Sequence, residues 1–174
     1  MEMTMSLYTE TVTLTSKMLT NLAAWIDLGV ENATSKKYDP TVLLNARLAP
    51  DQYHFIKQVQ ASCDSAKFAA ARLTGKPAPA HPDTEATLDE VRARIQSVIT
   101  YLATFTEADF VGAEARIVPL SFMPGKGMIG LNYLHEMALP NFYFHITTAY
   151  AILRHNGVPV GKMNFMGSIT LQDL

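Results

Sequence analysis

The stretch from Leu139 to Gly157 limits the possible folds more than any other, because its apolar and aromatic side chains would occupy nearly every face of a helix. Phe142, Ile146, Ala149 and Leu153 form one stripe, while Tyr143, Phe144, Tyr150 and Ala151 cover other faces. Such a helix must be wrapped by several neighbours or shared with a second copy of the chain. Its ends are marked. Pro140 suits a first helical turn, where its missing N–H is no loss, and Asn156-Gly157 supplies a left-handed stop with Pro159 beyond it.

Three upstream segments have the periodicity to do the wrapping. From Ser6 to about Ala33, Leu7, Leu14, Met18, Leu22, Trp25 and Gly29 or Val30 recur at helical spacings. Threonines at 9, 11, 13, 15 and 20 weaken that helix's intrinsic preference, so packing must hold it, and a strand over Thr11–Thr15 is the rival reading. Asp39-Pro40 is an N-cap followed by proline and predicts a short helix over Thr41–Ala46. Ala49-Pro50-Asp51 then opens a second long helix with a seam of Ile56, Val59, Cys63, Ala66, Ala70 and Leu73. The seam is mostly small and suits close approach by the bulky last helix.

Gly75 ends this second helix, and the three prolines of Lys76–Pro82 make a crossover loop. Asp83 or Thr84 is expected to cap a third helix with the stripe Leu88, Val91, Ile95, Val98, Leu102 and Phe105, leaving Glu90, Arg92 and Arg94 outside it. After one turn at Thr106–Phe110, Ala115–Phe122 and Met128-Ile129 flank the turn Met123–Gly127 and predict a β-hairpin, with Pro119 on an edge. Gly130–Ala138 reads as a short helix broken or kinked before Pro140. The tail after Gly157 has too many turn formers for a helix but enough apolar residues to pack along the others. With no repeat or low-complexity segment, residues 1–174 form a single domain.

Composition narrows the function classes. Among 174 residues, 48% are hydrophobic and 17% charged, and a net charge of −2 with no basic run excludes general attraction to nucleic acid or anionic lipid. The single cysteine, Cys63, forbids an internal disulfide and fits a cytoplasmic, reducing compartment; in its seam it is an inert buried thiol. The N-terminus lacks the pattern of a secretory signal, and no run approaches the roughly 18 apolar residues of a membrane span. Phosphate loops, nucleotide fingerprints and Ser-His-Asp spacings are lacking.

Several motifs carry a family resemblance. Leu43–Asp51, Gln58-Val59-Gln60, Pro140–His145, Ala149–Arg154 and Gly157–Lys162 resemble the branch known as domain of unknown function 1993. The four long helices, the crossover and the hairpin resemble the wider DinB-like superfamily. The resemblance implies an all-α, DinB-like four-helix bundle with a long crossover and a small β-hairpin before the last helix. Many superfamily members hold a divalent metal with three histidines, one near the start of helix two and two spaced four apart on helix four. Residues four apart share a helix face, so two imidazoles can meet one ion. His54 and His145 match two of those places, but Ala149 follows His145 by four and Asn141 precedes it by four. His135 could complete the set only if a kink at Pro140 turns it inward.

The other histidines have plainer readings. His54 also reads as a surface residue near Asp51, and His145 as a buried imidazole bonded to a neighbour, or else a ligand or general base. His81 is expected to be solvated in its proline loop. His155 would stabilise the last carbonyls of its helix, and His135-Glu136, adjacent on a helix, diverge too far for an acid/base pair.

The sequence therefore leads to a cytoplasmic homodimer without a complete metal centre or other cofactor, meeting no nucleic acid and no membrane. Asn141, Phe142, Tyr143, Phe144 and Tyr150 would form its interface or line a pocket for a small apolar ligand. The enzyme alternative is a metal-dependent hydrolase or thiol transferase with Ni, Zn or Mn on His54 and His145, and His135 or water completing the set. A third reading presents the hairpin tip Met123–Gly127 to a protein partner. Whether the protein is an enzyme stays open.

Overall fold

The computed structural model describes residues 6–173; Met1–Met5, which fall in the stretch read above as lacking a signal, and Leu174 lie outside the described residues. Helix α1 (Leu14–Lys36) is entered through a π-helical turn, Thr9–Thr13. No strand forms over Thr11–Thr15. The wide turn shifts the helix's phase, so Thr11 and Thr15 are buried while Leu14 is only half-buried. Met18, Leu22, Trp25 and Gly29 face the core as their spacing predicts.

Asp39 caps a 3-10 helix, Pro40–Asn45, its carboxylate accepting the Thr41 N–H at 2.9 Å. Helix α2 (Phe55–Thr74) starts later than Asp51, because residues 46–54 form turns and extended backbone. Its whole predicted seam is buried, and α2 packs most extensively on the last long helix. Gly75 ends α2 in the left-handed region, φ 77°.

The crossover runs to Thr87, which caps helix α3 (Leu88–Leu102) in place of Asp83 or Thr84. The Thr87 hydroxyl accepts the Glu90 N–H at 3.2 Å, and Glu90 accepts the Thr87 N–H at 2.9 Å, a reciprocal box that neither expected cap can form. Strands β1 (Ile117–Pro119) and β2 (Gly127–Ile129) pair antiparallel, with Pro119 opposite Gly127.

The fourth rod of the bundle has no break before Pro140, where a break or kink was expected; the irregularity there is a π-helical turn. Helix α4 (Gly130–Asn132) passes through the π-helical turn Tyr133–Ala138 into α5 (Leu139–His155). Pro140 sits in the first turn of α5, directly after the wide turn, and the rod continues through it. Phe142, Ile146, Ala149, Ile152 and Leu153 are buried, contributing about 1.5–3 kcal/mol for each large side chain.

The tail corrects a second expectation, because Lys162–Met166 forms a short helix, α6. Tertiary contacts hold it. Phe165 stacks on Trp25 with centroids 5.5 Å apart, and the Trp25 indole donates to the Asn164 carbonyl at 2.9 Å. Among the described residues, no helix is long and apolar enough to cross a membrane.

Candidate functional site

A cleft of about 340 Å³ lies between α2 and the fourth rod. Helix α2 contributes Lys57, Ala61, Asp64, Ser65, Phe68 and Arg72, at spacings that keep them on one face. The opposite wall is Tyr133, Met137 and Ala138 from the π-helical turn, then Asn141 and His145 from α5, with Tyr53 at one end. A π turn holds an extra residue, which moves side chains off the faces a straight helix would give them.

His145 is the most constrained polar group in this wall. Gln58, fully buried, donates its Nε2 to the Tyr53 carbonyl at 3.2 Å. A carbonyl cannot donate, so the other amide atom, Oε1, is the one that meets His145 Nδ1 at 2.8 Å. Nδ1 therefore carries the proton and Nε2 keeps its lone pair. Burial also pulls the imidazole below its ordinary pKa, so the ring is neutral at pH 7. Among the described residues Nε2 makes no hydrogen bond. The Tyr53 ring stacks on the imidazole with centroids 6.4 Å apart.

Behind the cleft lies a charged cluster that joins α2, α3 and the crossover. Arg94, expected outside the α3 stripe, is only 3% exposed. It pairs with Asp64 at 2.6 Å, Glu85 at 3.0 Å and Asp83 at 3.1 Å. Buried Lys67 pairs with Asp64 at 2.8 Å, and Lys57 with Asp83 at 2.7 Å. Three cations thus face three carboxylates. Burial works against the Arg94 charge, yet the carboxylates beside it raise its pKa further. For Asp83 burial works upward, but the bonds from Lys57 and Arg94 outweigh it and lower the pKa.

His81 belongs to this cluster and is not a solvated loop residue. Lys67 donates to its Nδ1 at 3.1 Å, and its Nε2 lies 3.1 Å from the Ser97 hydroxyl. Since an ammonium only donates, Nε2 carries the ring proton and donates to Ser97. The pair is wired in the wrong direction to activate a serine nucleophile. Cys63 is fully buried and its thiol is pushed up to about 12 by burial, so it is no nucleophile either.

The structure does not bring the three candidate metal ligands together. His54 stands at the N-cap of α2, its pKa lowered by burial and by Arg47 and Lys57, and it does not line the cleft. His135 points its Nε2 at Glu10 at 2.7 Å, joining the two π-helical turns. Among the described residues no three His, Cys, Asp or Glu side chains are grouped to hold an ion. The donors present do not fit a three-ligand centre.

The five residues expected to share one interface or pocket also separate. Asn141 lines the cleft and donates to Ser65 Oγ at 2.6 Å, whereas Phe142 is core. Tyr143 and Phe144 are 36% and 56% exposed, and Tyr150 packs edge-on against Trp25 and Phe165. His155 is exposed in the last turn of α5.

Sequence reasoning missed Gln58, Arg72 and the α2 wall as a whole. The signal for the wall and Arg72 was present, though not for Gln58. Positions 57, 61, 64 or 65, 68 and 72 form a second, largely polar stripe at helical spacing beside the apolar seam.

Comparison with known proteins agrees with this architecture. A solved structure described as a DinB family member from Shewanella denitrificans is 50% identical, with a TM-score of 0.94 over 97% of this chain and 96% of that one. No curated protein matches the chain. The family model described as domain of unknown function (DUF1993) matches residues 7–166. With its bundle, crossover and hairpin, the chain belongs to the domain of unknown function 1993 family, on a DinB-like fold.

Proposed function

We propose that this protein binds a small molecule in the cleft between α2 and the fourth rod. The apolar body of the ligand lies against Tyr53, Phe68, Tyr133 and Met137, and a hydrogen-bond donor on it meets Nε2 of His145. One observation carries this reading. A neutral imidazole, fixed in its tautomer by a fully buried glutamine, keeps an acceptor that no protein group among the described residues takes up, in the wall of a cavity large enough for a ligand.

Filling the cleft tests the proposal. Fragments carrying an aromatic ring and a donor group should shift the NMR signals of His145, Phe68 and Met137, and Ala61→Trp should abolish those shifts while the fold persists. Binding that survives Ala61→Trp would place the ligand elsewhere and remove the proposal.

We also propose that the chain forms a homodimer. A shallow, mainly apolar groove lined by Leu14, Met18, Tyr143, Phe165, Met166 and Ile169, with Lys17 beside them, supports this, together with exposed Phe144 on the same helix as Tyr143. Light scattering at tens of micromolar should give twice the chain mass; a monomer would remove this half of the reading.

A further inference from the structure

We propose that the ligand of this cleft carries an anionic group, in the first instance a carboxylate, and that Arg72 is the residue that binds it. The inference rests on the cleft being a ligand site and goes further by fixing the charge of what enters.

The argument is one of charge balance. Two cations and one carboxylate line the cleft: Lys57, Arg72 and Asp64. Lys57 is held by Asp83, and Asp64 by Arg94 and Lys67. The cluster behind the wall is balanced within itself, with Lys57, Lys67 and Arg94 against Asp64, Asp83 and Glu85. The imidazoles of His54, His81 and His145 do not alter the balance, because burial lowers the pKa of all three.

Arg72 is what remains. Among the described residues no carboxylate pairs with it. Its guanidinium carbon lies 5.1 Å from the Phe68 ring centroid and 5.9 Å from that of Tyr133, and Nη1 donates to the Tyr133 hydroxyl at 3.1 Å. The two rings and the hydroxyl hold the guanidinium in place but neutralise none of its charge. A planar cation held between aromatic walls, with most of its donors unused, is a site for a planar anion bound through two hydrogen bonds. Because the rings that hold Arg72 also form the apolar floor of the cleft, the anionic group should be attached to a flat apolar body.

A matched pair of probes separates this inference from the reading beneath it. Aromatic carboxylates bearing a phenol, such as 4-hydroxyphenylacetate, are titrated alongside their primary amides, with binding read from the NMR shifts of Phe68, Tyr133 and His145. The carboxylate should bind about tenfold tighter than its amide. Arg72→Gln should bring that ratio to about one while leaving the amide's affinity in place, and Arg72→Lys should restore part of it. Equal binding of acid and amide to the wild type, or a preference that survives Arg72→Gln, overturns the anion inference and leaves the cleft reading standing. If neither series shifts the cleft residues at millimolar concentration, both fall together. If Arg72→Gln fails to fold, the acid-to-amide ratio in wild type and in Arg72→Lys decides.

Discussion

At the scale of single residues, the Gln58–His145 pair makes two measurable claims. Long-range proton–nitrogen correlation spectra should show His145 with Nδ1 protonated and Nε2 bare; the opposite tautomer would remove the proposed acceptor. Gln58→Leu should cost about 1–3 kcal/mol in urea unfolding, because the Tyr53 carbonyl and His145 Nδ1–H lose their buried partner. The pH dependence follows from the direction of three shifts. His54, His81 and His145 all have folded-state pKa values lowered chiefly by burial. Each binds its proton more readily when unfolded, so stability should fall as pH drops through the unfolded value of about 6.5 and level off below the folded values. The melting temperature should therefore decrease between pH 7.5 and 5.5, with a smaller slope in His145→Gln; a flat profile would contradict the burial argument. The residue that reasoning from sequence placed worst was Arg94. A charge on an amphipathic helix reads as solvated, and nothing local in the sequence shows that Asp64, Asp83 and Glu85 converge on it from two other segments.

Among the elements, the long helices were legible because each carries an apolar stripe at helical spacing; in α3 the stripe holds as far as Leu102, where the helix ends, and Phe105 is buried just beyond it. The junctions were less so. Thr87 displaced Asp83 and Thr84 as the cap because the reciprocal bond needs a glutamate three residues on, and only Thr87 has one, at Glu90. Asp83 instead adopts φ 54° and serves the charged cluster. Lys162–Met166 looked too rich in turn formers, yet Trp25 and Asn21 supply from α1 what local preference does not. Two substitutions test how the elements are joined. Arg94→Met leaves three carboxylates facing two lysines and should destabilise by about 2–3 kcal/mol, less than a fully buried pair because Asp64 and Asp83 keep some solvent. Gly130→Ala would drive a Cβ into the Ala113 carbonyl oxygen, so the turn before β1 and the start of the fourth rod could no longer meet as they do. That should cost about 2–3 kcal/mol in urea unfolding; an unchanged midpoint would mean that the junction yields.

For the molecule as a whole, the bundle, its crossover and its hairpin could be read from periodicity and turn chemistry, but the cleft could not. Its walls come from α2, α5 and the segment between α4 and α5, and its shape depends on a turn whose phase no spacing rule reports. Tyr133–Ala138 amounts to an α-helix into which one residue has been inserted, and Tyr133, Met137 and Ala138 of this turn line the cleft. A single-codon deletion there should straighten the rod, spare the hydrophobic interior, and withdraw Tyr133 and Met137 from the opening. Homologues that differ by one residue at this point would then share the scaffold and part company in what they accommodate.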